Sequence, residues 1–544
     1  MAQTVLDVRD LTIRLPAGGE RCHAVEGLSF SVRTNEIVCI VGESGSGKSI
    51  TAYAAMGLLP RALTITGGAL SFLDQNLLTL KASEHARLRG NQMAMVFQEP
   101  MTALNPCFTV GAQIEEVFAA HTKLSREARR EKTLALLSEV NLPEPGRVYR
   151  SYPHQLSGGQ RQRIVIAIAL ALSPKLLIAD EPTTALDVTT QAQILALLKT
   201  LKEKYQAGIL FITHDFDVVA EIADRVVVMA QGRIVEQGET RQVMSAPSHP
   251  YTKKLLAAVP RYRDKSGSDN GAARQARAGS RPIVLEVLGL AKNYTLKGGL
   301  GRPPRVIPAL HPTSFTLEEG QTLGIVGESG SGKSTLVRCL TRLIEPDAGA
   351  IRIDAQDLAA LPSRQLRAWR KHIQIVFQDP YGSLNPRRRI GEQLMLGALN
   401  FGMARDEAWE KARALLNIVQ MRDDALYRYP SQFSGGQRQR LCIARALMVE
   451  PKILIADEAV SALDVSVQKE VLQLLEAIKA EMGLTILFIT HDLRVAVQIS
   501  DRLIVMHNGR VVEEGNVREV FLTPKEDYTK QLLAAMPGPD LFAP

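Results

Sequence analysis

The chain has 544 residues, a formal charge of +8, 45% apolar residues and 22% charged residues. That length accommodates two to four domains, and the composition is that of an ordinary core-forming chain, not a disordered one. The charge permits contact with anionic lipid or nucleic acid and compels neither. No secretory leader is expected, because the opening Met1–Asp10 places two acids where a basic region should stand. Apolar runs such as Leu176–Ala179 fall far short of the roughly 20 residues a bilayer crossing needs, so any crossing is left to another chain. The cysteines are single, without a CxxC pair, as expected of inert thiols in a reducing compartment. Cys39 is expected in a buried strand, and Cys339 and Cys442 in helices.

In chain order, Glu36–Val41 reads as an apolar strand running into Gly42-Glu-Ser-Gly-Ser-Gly-Lys48-Ser49. Glycines there let backbone N–H groups converge on phosphates at a helix N-terminus. Lys48 supplies a cation toward the β and γ phosphates of a nucleotide, and Ser49 a hydroxyl for Mg²⁺. Ser125–Val140 reads as a surface helix of an inserted helical region. Leu156-Ser-Gly-Gly-Gln-Arg-Gln-Arg163 follows, in which Ser157, Gly158, Gly159 and Gln160 open a helix as a second anion-cradling element.

Lys175–Asp180 is a near-continuous apolar strand of the kind a two-face-covered sheet needs. It ends in Asp180, whose carboxylate emerges beside Mg²⁺. Glu181 comes next, placed to polarise an attacking water as a general base, although Asp–Glu pairs also serve as helix caps. Ile209–Thr213 is a further strand, and His214 after it can reach a γ-phosphate; a core or surface histidine is the plainer alternative. The segment 261–282 is polar and rich in small residues, and reads as a flexible tether.

Everything before the tether then recurs after it. Gln321–Val326 leads into Gly327-Glu-Ser-Gly-Ser-Gly-Lys333-Ser334, 285 residues after the first loop. Asp406–Val419 repeats the surface helix, and Phe433–Arg440 repeats the signature with Ser434, Gly435, Gly436 and Gln437. Lys452–Asp457 ends in Asp457 and Glu458, and Thr485–Thr490 leads to His491. The offset is 277 from the signature through the histidine, as expected where one rigid constellation must be assembled. One unit does not need two anion cradles for one triphosphate. Ser157–Gln160 is therefore expected to face phosphates held by the second unit, and Ser434–Gln437 those held by the first, in two composite head-to-tail sites.

These motifs together resemble the nucleotide-binding subunits of ATP-binding-cassette transporters, over nearly the whole chain outside the tether. The resemblance implies an α/β fold of two tandem P-loop NTPase domains, each with an inserted helical subdomain. Their expected bounds are 1–260 and 283–544, each with a C-terminal extension, joined by the linker 261–282. It implies ATP and Mg²⁺ as cofactors. ATP contacts would come from Gly42, Ser44, Gly45, Gly47, Lys48, Ser49 and Ile50, and from Gly327, Ser329, Gly330, Gly332, Lys333, Ser334 and Thr335. Gln98 and Gln378 would contact Mg²⁺ and water, beside Ser49, Asp180, Ser334 and Asp457. Asp187 and Asp464, in loops 185–187 and 462–464, would cross the dimer interface. Tyr294 would stack on adenine in the second unit, where alignment puts Leu15 in the first.

A narrower resemblance is to the oligopeptide/dipeptide/nickel importers, in the extensions Gln98–Pro106 and Gln378–Pro386 and in the tails Ser248–Leu256 and Asp527–Leu533. It implies two membrane permeases and an extracytoplasmic solute-binding protein as partners, no direct contact with the solute, no nucleic acid, and a place at the cytoplasmic face of a bacterial inner membrane. Some members carry an iron–sulfur cysteine cluster in the tail; neither tail here has a cysteine, so no cluster is expected. A soluble tandem ATPase acting on ribosomes or nucleic acid is the competing class, against which the short polar tether and the importer-like loops weigh.

Overall fold

The computed structural model describes residues 3–16, 21–184, 186–259, 281–296, 305–461 and 463–536. Ala185, Ala462 and nearly all of the tether 261–282 lie outside the described residues. Two compact units are present, one built mainly from the chain up to Val259 and the other mainly from the chain beyond it.

The first unit opens with β1 (Thr4–Arg14) and β2 (His23–Arg33), then β3 (Ile37–Val41), whose five residues are all buried. Next come β4 (Thr64–Phe72), β5 (Gln75–Asn76), β6 (Met93–Val96), β7 (Leu176–Asp180), β8 (Gly208–Thr213), β9 (Arg225–Ala230) and β10 (Arg233–Glu239). An antiparallel sheet in the order β2-β1-β4-β5 stands beside a larger one in the order β10-β9-β3-β8-β7-β6. The larger sheet is parallel except for its edge strand β10. Its Val, Ile and Leu runs are buried on both faces, which is why they read in sequence as continuous and not as alternating.

Register decides where the chemistry lies. Val41 pairs with Thr213, and Asp180 with Ile212, so the ends of β3, β7 and β8 share one edge. Whatever follows those three strands is gathered there, as in other open parallel sheets.

Between β6 and β7 the chain forms the predicted helical insertion. Its helix Arg126–Glu139 starts where the Ser125 hydroxyl accepts a hydrogen bond from the Ala128 N–H, and it buries Thr133, Leu136 and Leu137. The matching helix of the second unit, Arg405–Ile418, buries Ala408, Ala412, Leu415 and Leu416, a single stripe at helical spacing. Full burial of each of those leucines contributes roughly 1.5–3 kcal/mol.

The second unit repeats the plan with β11 (Ile283–Leu296), β12 (Arg305–Glu318), β13 (Thr322–Val326), β14 (Ala348–Ile353), β15 (Gln356–Asp357) and β16 (Ile373–Val376). β17 (Ile453–Asp457), β18 (Thr485–Thr490), β19 (Arg502–His507) and β20 (Arg510–Asn516) complete it. The sheets run β12-β11-β14-β15 and β16-β17-β18-β13-β19-β20, with Val326 opposite Thr490 and Asp457 opposite Ile489. Cys39 is buried in β3, while Cys339 and Cys442 are buried in helices Lys333–Leu340 and Gly435–Leu447. Among the described residues no helix is long and apolar enough to cross a membrane.

Candidate functional site

In each unit the glycine-rich loop leaves the central strand and opens a helix, Lys48–Ala55 or Lys333–Leu340. Gly42 and Gly327 both sit at φ +156°, where a Cβ would lie 2.2 Å from the carbonyl oxygen of Met229 or Met506. No side chain fits, so the loop stays closed against β9 and β19. The lysines are buried and already aimed. Lys48 Nζ donates to Gly42 O at 2.7 Å and to Glu43 O at 3.0 Å, and Lys333 Nζ to Gly327 O at 2.7 Å and to Glu328 O at 2.8 Å. Burial pulls Lys48 below the usual lysine range, opposed by the Glu181 and Asp180 carboxylates.

The same edge collects the carboxylates. Ser49 Oγ donates to Asp180 Oδ1 at 3.0 Å. Glu181 takes a left-handed backbone at φ +47°, its N–H bonded to Ile212 O, and Glu458 does the same at φ +49° against Ile489 O. Such conformations are strained for a side chain with a Cβ and cluster at functional sites. Gln98 Nε2 donates to Glu181 Oε2 at 2.9 Å, and Thr184 Oγ1 to the same oxygen at 3.0 Å. His214 Nδ1 lies 3.2 Å from Glu181 Oε1, close enough for a charge pair though poorly angled for a hydrogen bond. In the second unit Gln378 Nε2 donates to Glu458 Oε2 at 2.7 Å, with His491 Nδ1 at 3.3 Å from that oxygen. Ser461, in the place of Thr184, donates instead to the Glu458 backbone carbonyl.

Electrostatics follow from burial and pairing. Burial pushes Asp180 and Asp457 up to about 6. Burial also raises Glu181 and Glu458, but the facing histidine and lysine outweigh it and hold both below the ordinary range. His214 and His491 are pulled down by burial and more than restored by Glu181 and Glu458.

At each signature the serine caps its helix. Ser157 Oγ accepts from Gln160 N while Gln160 Oε1 accepts from Ser157 N, and Ser434 and Gln437 repeat the exchange. A Cβ on Gly159 would meet Thr190 Cγ2 at 2.5 Å, and one on Gly436 would meet Val467 Cγ1 at 2.3 Å. Asp187 caps the helix Val188–Tyr205 by accepting from Thr190 N. Leu15 N bonds Cys22 O at the end of the first hairpin, where Tyr294 stands exposed opposite Ile307 in the second. Sequence reasoning missed Thr184, and also Arg21, whose guanidinium donates to Gly45 O at 3.0 Å; neither carries a local signal.

Comparison with known proteins gives the same outline. The family model described as "ABC transporter" matches residues 25–184 and 310–461. The chain belongs to the ABC transporter family. A second model, "Oligopeptide/dipeptide transporter, C-terminal region", matches residues 235–283. The "Glutathione import ATP-binding protein GsiA" of Salmonella choleraesuis (strain SC-B67) is 45% identical over 563 residues, covering 99% of this chain and 90% of that protein. The protein so described from Escherichia coli (strain K12) is 46% identical over 565 residues, covering 98% and 90%. The chain is thus a tandem ABC ATPase subunit, related to the ATP-binding proteins of peptide importers, and its activity is ATP hydrolysis.

Proposed function

We propose that this chain is the paired motor of an importer for glutathione or short peptides. It would sit at the cytoplasmic face of a bacterial inner membrane, docked on two permease subunits and served by an extracytoplasmic solute-binding protein. The observation carrying this reading is the 45–46% identity to glutathione import ATP-binding proteins over 98–99% of the chain. The tail match at residues 235–283 supports it.

Within each unit the phosphates would lie over the glycine loop, where Lys48 or Lys333, held by the loop carbonyls, would meet them. Mg²⁺ fits the residues present. Ser49 Oγ and Asp180 Oδ1 are adjacent oxygen donors, and Asp457 Oδ1 is buried with no hydrogen-bond partner among the described residues. Ser49, Gln98 and Asp180 would hold the ion in the first unit, and Ser334, Gln378 and Asp457 in the second. Once bound it would neutralise charge on the β and γ oxygens. Glu181 and Glu458 orient and polarise the water, Gln98 and Gln378 hold those carboxylates in place, and His214 and His491 meet the γ-phosphate. The pairing of each signature, Ser157–Gln160 and Ser434–Gln437, with the nucleotide of the other unit remains part of this proposal on the sequence argument alone.

Base recognition is expected to differ between units. Tyr294→Ala should weaken nucleotide binding at the second unit by roughly 1–3 kcal/mol, the range for loss of one stacking aromatic, and Leu15→Tyr should strengthen the first. Fluorescent MANT-ATP titrations, in Lys48→Ala and Lys333→Ala backgrounds respectively, check both.

The functional test is reconstitution of the chain with its copurifying permeases in liposomes. ATP turnover should rise when binding protein loaded with glutathione or a short peptide is added. A chain that copurifies with ribosomes or nucleic acid and with no permease overturns the importer reading.

A further inference from the structure

Each unit ends in a tail that returns to its own phosphate loop. The return is set by a carboxylate on the last strand. Glu236 of β10 accepts from Ser248 N at 2.7 Å, Ser248 Oγ at 2.8 Å and His249 N at 3.1 Å. Glu513 of β20, 277 residues on, accepts from Lys525 N at 2.8 Å and Glu526 N at 3.3 Å. Beyond this clamp a short helix opens, Pro250–Ala258 or Asp527–Ala534. In the first unit His249 Nδ1 caps it by accepting from Tyr251 N at 3.1 Å, and Pro250 takes the first helical position, where its missing N–H costs nothing.

The next residue is a tyrosine in both units, and both phenols reach the same atom. Glu43 N donates to Tyr251 Oη at 3.2 Å, and Glu328 N to Tyr528 Oη at 3.3 Å. The supporting contacts differ: Tyr528 packs on the His507 ring, centroids 3.9 Å apart, where the first unit has Ala230. Two different surroundings therefore deliver one contact. The peptide that donates is the one whose carbonyl, Gly42 O or Gly327 O, accepts from the buried lysine. A peptide is planar, so fixing its N–H from outside fixes the carbonyl on the opposite side. Burial pushes the Tyr251 phenol up to about 12, so it remains protonated.

We propose that Tyr251 and Tyr528 are positioning residues for nucleotide binding: each tail hydroxyl orients the first peptide of its phosphate loop and, through that peptide, the lysine that meets the phosphates. The proposal rests on the reading of the two loops as nucleotide sites, and it gives the C-terminal extension a task inside the ATPase.

The test uses the full chain and two double variants. Tyr251→Phe with Tyr528→Phe keeps both rings and removes both hydroxyls. It should raise KM for ATP about three- to tenfold, the factor expected for one hydrogen bond of ordinary strength, with kcat and Tm near the parent values. Tyr251→Leu with Tyr528→Leu removes the rings as well and should lower Tm in addition. A KM within twofold of the parent for the phenylalanine pair overturns the proposal. So does a loss of kcat that only tracks a loss of Tm. Lys48→Ala with Lys333→Ala is measured alongside: if that chain still binds MANT-ATP normally, the nucleotide-site reading has failed, and not merely the role of the tyrosines.

Discussion

Glu181→Gln together with Glu458→Gln is expected to lower ATP turnover by about 10²- to 10⁴-fold, the usual contribution of a positioned acid–base group, with nucleotide binding close to that of the parent chain. The change is nearly isosteric, so the left-handed backbone at both positions and its N–H bonds to Ile212 O and Ile489 O can persist. What is lost is the carboxylate that Gln98 and His214, or Gln378 and His491, hold in place. Single variants should be unequal. Glu181 receives a second hydrogen bond, from the Thr184 hydroxyl, whereas the Ser461 hydroxyl is spent on a backbone carbonyl. Each donor to a carboxylate stabilises its charged form and weakens it as a base. Glu458 lacks that donor, so Glu458→Gln should remove the larger share of turnover. Steady-state phosphate release, with MANT-ATP binding as the control, measures both effects. Equal losses would show that Thr184 does not tune the first site, and undiminished turnover in the double variant would remove the two glutamates from the chemistry.

Much of this arrangement was legible in the sequence because it is local. The strands at Ile37–Val41 and Leu176–Asp180 announce themselves as uninterrupted apolar runs, and the lysine, serine and carboxylates follow them at fixed distances. The sharing of one sheet edge by those strand ends follows from parallel pairing. The tail contact has no such signal. Tyr251 lies 208 residues from Glu43, and a tyrosine in the first turn of a short helix looks like any half-buried aromatic. Positive φ at Glu181 and Glu458 was equally hidden, since neither is a glycine or asparagine; the strain is imposed by tertiary structure. Thr184 and Ser461 stand at matching positions of the repeat, and nothing local tells which oxygen each hydroxyl finds.

The glycine at the head of each loop gives the largest expected loss of stability. Gly42→Ala and Gly327→Ala each place a methyl 2.2 Å from a backbone carbonyl oxygen and under 3 Å from a loop serine hydroxyl, Ser46 Oγ or Ser331 Oγ. The serine can rotate away, but the carbonyls of Met229 and Met506 belong to strands β9 and β19, pinned between β3 and β10 or between β13 and β20. Relief must come from the loop, which also loses the positive φ that glycine tolerates. Overpacking of this kind costs about 1–3 kcal/mol, and the backbone conformation adds about 1 kcal/mol or more. For a unit of this size the sum corresponds to a fall in Tm of roughly 4–16 °C. Nucleotide affinity should fall with it, because Lys48 and Lys333 are held by the carbonyl of the displaced residue. Gly146→Ala is the matched control. It sits in the helix Pro145–Arg150 with nothing within 4 Å of a new methyl, so it should be neutral or stabilising by up to about 1 kcal/mol. Thermal melts of the three chains with and without MgATP separate the effects. A Gly42→Ala chain that melts with the parent would mean that the loop closes without the contact to Met229, and that glycine there answers only to the nucleotide.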